Sequence, residues 1–172
     1  MSPTPLDGSP GPTEHIRWTE LAARLDPAKA AQTLVTLQRT PALWPSAIRL
    51  ANTLEAIRVI GGNAPVRVTC GLRPGDPRQH GAMQAADIQI AGVSPIQLAQ
   101  AIRAAALPGV RQVLAETDGA RALLLRPMGS VSGWVHVACF GADGEPFRDP
   151  SSMPWGVAWK ESGERRYAAL AP

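Results

Sequence analysis

Residues Ala86-Asp87-Ile88-Gln89-Ile90-Ala91-Gly92-Val93-Ser94-Pro95-Ile96-Gln97 carry a strand directly into a helix. Ala86 to Ile90 alternates apolar and polar side chains, the period-two pattern of a half-buried strand. Ser94 then supplies a hydroxyl N-cap, Pro95 fills the first helical position, and Gln97 stands where a capping box places its glutamine. The spacing predicts a helix to about Ala106 that buries Ile96, Ala99 and Ile102. Val110 to Ala115 is strand-like again, so this region reads as strand, crossover helix, strand.

Upstream, Val66-Arg67-Val68-Thr69-Cys70 alternates and is β-branched, which predicts a strand. Gly71 to Gln79, with Pro74, Gly75 and Pro77, predicts a loop, and His80 to Ala86 reads as irregular. Leu43, Ala47, Leu50, Ala51, Leu54 and Ile57 recur at helical spacing. Pro45 lies in the first turn, where proline is tolerated, and Gly61-Gly62 stops that helix. Residues 13–25 read as a lead-in and a short helix, with Thr19 as N-cap and Trp18 and Leu21 as apolar anchors. Downstream, Asp118-Gly119 is a hairpin signal between Val110–Ala115 and Ala120–Leu125. Gly133 to Phe140 is expected to be the last strand. Residues 141–172 are rich in Gly, Pro and Ser, with Trp155, Trp159 and Tyr167 as isolated anchors. They read as a tail that wraps the domain or meets a partner, and residues 1–12 as a flexible Pro/Gly-rich arm. Helices first, then a mainly antiparallel sheet with one crossover helix, make an α+β domain over 13–140.

A chain of 172 residues with 45% apolar content suffices for one domain with its own core. No run nears the roughly 18 apolar residues of a membrane-spanning helix. Met1 to Pro12 has neither the basic flank nor the apolar stretch of a secretory signal. The expectation is a protein made in the cytoplasm without a membrane span. The net charge of +3 and pI near 9.4 come from scattered arginines, with Arg165-Arg166 as the only adjacent pair. A nucleic-acid stripe would be denser, so nucleic acid is not an expected partner. Cys70 and Cys139 make no disulfide framework and read as core thiols near strand ends, the alternative being a metal-ligand role for either.

His80 and Asp87 stand seven positions apart in Gln79-His80-Gly81-Ala82-Met83-Gln84-Ala85-Ala86-Asp87-Ile88. His136 lies mid-strand in Ser132-Gly133-Trp134-Val135-His136-Val137. Two imidazoles and a carboxylate that converge would make the three-ligand shell of a catalytic Zn2+ site, with one position left for water. The metal lowers the pKa of that water to about 7. Trp134 shares a face with His136 because strand side chains alternate, and would wall the site or contact substrate. The competing structural reading makes both histidines hydrogen-bonded framework residues and Trp134 part of the core. His15, near the N-terminus and without an evident partner, reads as surface.

Several segments together resemble a known family. They are Val66 to Arg73, Gln79-His80 through Ala85-Ala86-Asp87-Ile88, Gly92-Val93-Ser94, and Ser132 to Val137. They are similar to the zinc D-alanyl-D-alanine carboxypeptidase-like peptidases, most closely the peptidoglycan-cutting versions of phages and prophages. Trp18 to Leu21 and the helix ending Leu54-Glu55-Ala56-Ile57 match the family's lead-in, so the similarity spans roughly 13–140. The resemblance implies a hedgehog/DD-peptidase-type fold, zinc held by His80, Asp87 and His136, and a peptidoglycan stem peptide as substrate. It also implies action at the bacterial wall or within a virion, with virion or lysis partners. Arg73 matches the arginine that holds a substrate carboxylate or developing oxyanion; the bland alternative is a loop salt bridge with Asp76. Glu116 matches the glutamate ending the preceding strand, the general base of phage-type relatives. An alternative register places Leu123-Leu124-Leu125-Arg126 on that pattern and leaves Arg126 in its place.

The departures from the family pattern are specific. Only Pro74 to Gln79 separate Arg73 from His80, where relatives carry a long loop. The serine two before the histidine is Arg78, on the substrate-facing rim, and the glycine three after it is Met83. The acid that many relatives have three before the last histidine is Gly133. The expected function is therefore a zinc peptidase of peptidoglycan. The alternative is a non-catalytic structural or virion-associated protein on a degenerate peptidase fold.

Overall fold

The capping box at Ser94 forms as its sequence dictates. The Ser94 hydroxyl accepts from the Gln97 N–H and the Gln97 side chain accepts from the Ser94 N–H, each at 3.2 Å. In a computed structural model that describes residues 4–5, 8–117, 133–139, 155–161 and 164–169, this box opens helix α4 (Pro95–Ala105). Three helices come before the sheet: α1 (Trp18–Leu21), α2 (Pro27–Arg39) and α3 (Trp44–Ile60). The strands are β1 (Val66–Cys70), β2 (Ala85–Ile90), β3 (Val110–Thr117), β4 (Gly133–Cys139), β5 (Trp155–Glu161) and β6 (Glu164–Ala169).

These strands form one sheet in the order β1-β2-β4-β3-β5-β6. All neighbours are antiparallel except β3 and β5, which run parallel. The class is α+β as expected, but the sheet is mixed. Strand β4 slots between β2 and β3, the two strands that α4 connects. Residues 120–125, expected to form a hairpin with β3, lie outside the described residues; β3 takes β4 on one edge and β5 on the other. Within the stretch read as a wrapping tail, β5 and β6 extend the sheet.

Two local expectations are corrected. Thr19 is inside α1, whose N-cap is Arg17; the Arg17 N–H donates to the Glu20 carboxylate at 2.7 Å. In α4 it is Leu98, 1% exposed, that reaches the core, while Ile96 is only partly buried. Helix α2 was not anticipated. Its start is nonetheless encoded: the Asp26 carboxylate accepts from Ala28 and Lys29, and Pro27 occupies the first turn.

Alternation divides the sheet into two faces. Val66, Val68, Ile88, Val113, Val135 and Val137 join Leu50, Leu54, Ile57, Leu98 and Ile102 of α3 and α4 in one buried cluster. The residues between them, Asp87, Leu114, Glu116, Trp134 and His136, point to the opposite face. That face carries the chemistry.

Candidate metal centre

Strand register builds most of the site. Asp87 on β2 pairs with His136 on β4, and His136 pairs with Leu114 on β3. Directly opposed residues put their side chains on one face about 5 Å apart, so Asp87 and His136 meet by construction. Glu116, two beyond Leu114, pairs with Trp134 and shares that face. A bulge in β1 adds a further residue. Val68 pairs with Ile88 but Cys70 pairs with Asp87, which leaves Thr69 as the extra residue. The Thr69 hydroxyl donates to the Asp87 carbonyl at 3.1 Å. The bulge reverses the parity of the strand end and turns Cys70 from the core side to the Asp87 side.

His80 arrives from the loop between β1 and β2. Gly71 anchors that loop: its N–H donates to the Ala23 carbonyl at 3.1 Å, and the Leu72 N–H donates to the Leu21 carbonyl at 2.8 Å. A Cβ at Gly71 would collide with the Leu21 carbonyl, so only glycine permits this approach. The short Pro74–Gln79 segment ties back on itself, with the Arg78 N–H donating to Asp76 at 2.8 Å and the Arg73 N–H to the His80 carbonyl at 3.1 Å.

The three expected ligands converge. His80 Nε2 lies 3.2 Å from His136 Nδ1 and 3.4 Å from Asp87 Oδ1, and His136 Nδ1 lies 2.9 Å from Asp87 Oδ1. All three residues are buried, at 5%, 7% and 7% exposure. His80 Nδ1–H donates to the Gly71 carbonyl at 2.8 Å, which fixes the tautomer and leaves the Nε2 lone pair facing the other two donors.

The donor set fits a small divalent cation. Metal–ligand bonds of about 2.0–2.1 Å in a tetrahedron give ligand–ligand edges of roughly 3.3–3.4 Å, and the triangle has sides of 2.9, 3.2 and 3.4 Å. Imidazole nitrogen with one carboxylate oxygen suits zinc or a neighbouring transition ion better than magnesium or calcium. Burial would push the Asp87 carboxyl up. Hydrogen bonds and charge from His136 and His80 outweigh it and hold Asp87 well below the usual carboxylate range, anionic as a ligand must be.

Two groups of possible ligands share Asp87: Cys70 with His80 and Asp87, and Asp87 with Glu116 and His136, each with donor atoms within 4.8 Å of one another. Glu116, 8% exposed, thus brings a second carboxylate oxygen within 4.8 Å of the Asp87 and His136 donor atoms. Arg126 lies outside the described residues. A Cβ at Gly133 would collide with the Glu116 carbonyl, so the position three before His136 has no room for an acid.

Arg73 spans the rim. It bonds Asp76 at 3.2 Å, as the bland reading held, and its other amino group lies 3.9 Å from Asp87 Oδ2 and 3.5 Å from Cys70 Sγ. Partial burial would lower its pKa; the Cys70 sulfur, Asp87 and Asp76 raise it by more, so it stays charged. Trp134 is half-buried, and its indole N–H finds no acceptor among the described residues. Arg78 is exposed, and its side chain makes no hydrogen bond or ion pair among the described residues.

The sequence reading misplaced Cys70, and it missed a partner of His15, which is exposed as expected. Cys139 is a core thiol, 2% exposed, whose pKa burial raises, but Cys70 belongs to the site. His15 is partnered: its backbone N–H and ring Nδ1 meet the Glu55 carboxylate at 2.8 and 3.2 Å. Comparison with protein-family models, curated proteins and solved structures returns no match. Among the described residues no helix is long and apolar enough to cross a membrane.

Proposed function

We propose that the protein is a zinc-dependent peptidase that hydrolyses a D-amino-acid-containing peptide bond of bacterial peptidoglycan. In this reading the α+β domain is a hedgehog/DD-peptidase-type fold. The observation that carries it is the buried triangle of His80 Nε2, His136 Nδ1 and Asp87 Oδ1, with a second carboxylate, Glu116, within 4.8 Å of the Asp87 and His136 donor atoms. A zinc ion bound by that triangle supplies Lewis-acid polarisation of a carbonyl and a lowered pKa for water.

The chain's own groups do the rest. Glu116 takes a proton from the attacking water and passes it to the leaving amine. Arg73, charged and 42% exposed, pairs with a carboxylate of the stem peptide through the N–H groups that Asp76 leaves unused. Trp134 gives the substrate a flat wall beside Glu116, and Arg78 stands on the outer rim. Virion or lysis partners would bring the enzyme to the wall.

Purified protein incubated with isolated peptidoglycan is expected to release peptide fragments, with loss of activity on chelation and recovery with zinc. Glu116→Gln should lower turnover by about 10²–10⁴-fold, the usual size of a general acid–base step, and leave zinc affinity nearly intact. A His80→Ala variant as active as wild type would sink the proposal. The second reading, a non-catalytic structural or virion-associated protein, is favoured by the lack of room for an acid at Gly133. Zinc binding with no fragment release at any enzyme load would select it.

A further inference from the structure

Cys70 is the donor beside the triangle that the proposed hydrolysis does not use. Its strand alternation, shared with Val66 and Val68, should bury it in the core. Instead the bulge at Thr69 turns it to Asp87, and its sulfur joins His80 and Asp87 in a cluster of donor atoms within 4.8 Å of one another. His80 and Asp87 are both more than nine-tenths buried and aimed at the same point. The sulfur is not locked in place, because Cys70 is half-buried and its contacts are long: 3.5 Å from Arg73 Nη2 and 3.9 Å to the Gly71 carbonyl. Rotation about the single Cα–Cβ bond moves it without disturbing the backbone.

We propose that Cys70 is a fourth, exchangeable protein donor to the cation held by His80, Asp87 and His136. The inference rests on the reading of that triangle as a cation site. It adds two things. A sulfur donor makes the centre prefer thiophilic ions, zinc, cobalt and cadmium, over manganese or magnesium. It also gives the site two states. With the sulfur on the ion, four protein donors close the shell, as in structural sites. With the sulfur against Arg73, three donors leave the open position that catalytic ions keep. Binding of a substrate carboxylate by Arg73 then competes with the contact that holds the thiol away from the ion.

Cobalt titration of the metal-stripped full chain under reducing conditions tests this. Wild type should show the visible bands of tetrahedral cobalt together with a near-ultraviolet thiolate-to-cobalt charge-transfer band. Both should saturate together. Cys70→Ser should keep the visible bands, lose the near-ultraviolet band, and bind more weakly by at least the roughly 10–100-fold that outer-shell partners carry. Cys139→Ser should keep both bands and serves as the control for a thiol elsewhere. Visible bands without charge transfer in wild type, or a charge-transfer band that survives in Cys70→Ser, overturns the role of Cys70 and leaves the triangle standing. A wild-type protein that takes up no cobalt overturns both.

Discussion

Met83 holds a backbone conformation that its own side chain resists. Its φ is +57°, in the left-handed region that favours glycine, yet its side chain is fully buried. It closes the turn after His80, with its N–H donating to the His80 carbonyl at 3.4 Å. This is the position where the family resemblance expects glycine, and the φ supplies the physical reason for one. Met83→Ala should destabilise by about 2–5 kcal/mol, because it empties a core position and keeps the strained backbone. Met83→Gly empties the same position but relieves roughly 1 kcal/mol of strain. The glycine variant should therefore melt at or above the alanine variant, the reverse of their usual order. A glycine variant clearly less stable than alanine contradicts the strain.

Cys70 shows the limit of reading single residues from sequence. Its parity with Val66 and Val68 is a correct rule applied to a strand that breaks it. At the bulge the Thr69 hydroxyl donates to the Asp87 carbonyl, a contact eighteen residues away that alternation does not carry. The convergence of His80 and His136 on Asp87 was open to expectation because the chain has only three histidines.

At the scale of elements, Glu55 ties the N-terminal segment to α3. Its carboxylate accepts from the Thr13 hydroxyl and the His15 N–H, each at 2.8 Å, and pairs with Arg58 at 3.1 Å. Burial would raise its pKa, but these hydrogen bonds and the His15 ring outweigh it and the net shift is downward. A carboxylate with a lowered native pKa adds stability above its unfolded value, about 4.3, and loses it as pH falls through the lower native value. Glu55→Gln should be less stable than wild type at pH 6–7, with the gap closing as pH drops below about 4.3. A gap that is independent of pH in urea unfolding contradicts this account. Helix α4 offers a second test. Its C-cap, Ala106, has φ of +46°, so Ala106→Gly should stabilise by roughly 0.5–1 kcal/mol in the same assay. A loss of stability would show that the cap is not strained.

Elements were legible where caps and periodicity agree. The Ser94 box, the α3 stripe, the β1 alternation as far as Val68 and the β2 strand all stand where the sequence places them. Helix α2 escaped because its Ala, Thr and Gln residues leave no broad apolar stripe; only Thr33 and Leu37 are buried. Its Asp26-Pro27 start was the signal available. β5 carries Trp155, Val157 and Trp159 in alternation, but the Gly, Pro and Ser around it drew the reading towards a tail.

For the whole molecule, the triangle ties a loop to two paired strands of the sheet. His80 comes from a loop held against α1, Asp87 from β2, and His136 from β4. An ion bound by all three cross-links them in the native state alone. Ligand linkage then predicts about 2.7 kcal/mol of added stability at free zinc 100-fold above Kd. That is roughly 5–10 °C in melting temperature for a chain of this size. The effect should vanish in His136→Ala.

The most direct test is calorimetric titration of zinc into the metal-stripped protein. The account predicts a single tight site per chain, with binding lost in His80→Ala, Asp87→Ala and His136→Ala alike. No saturable binding to wild type, or binding that survives all three substitutions, would contradict it.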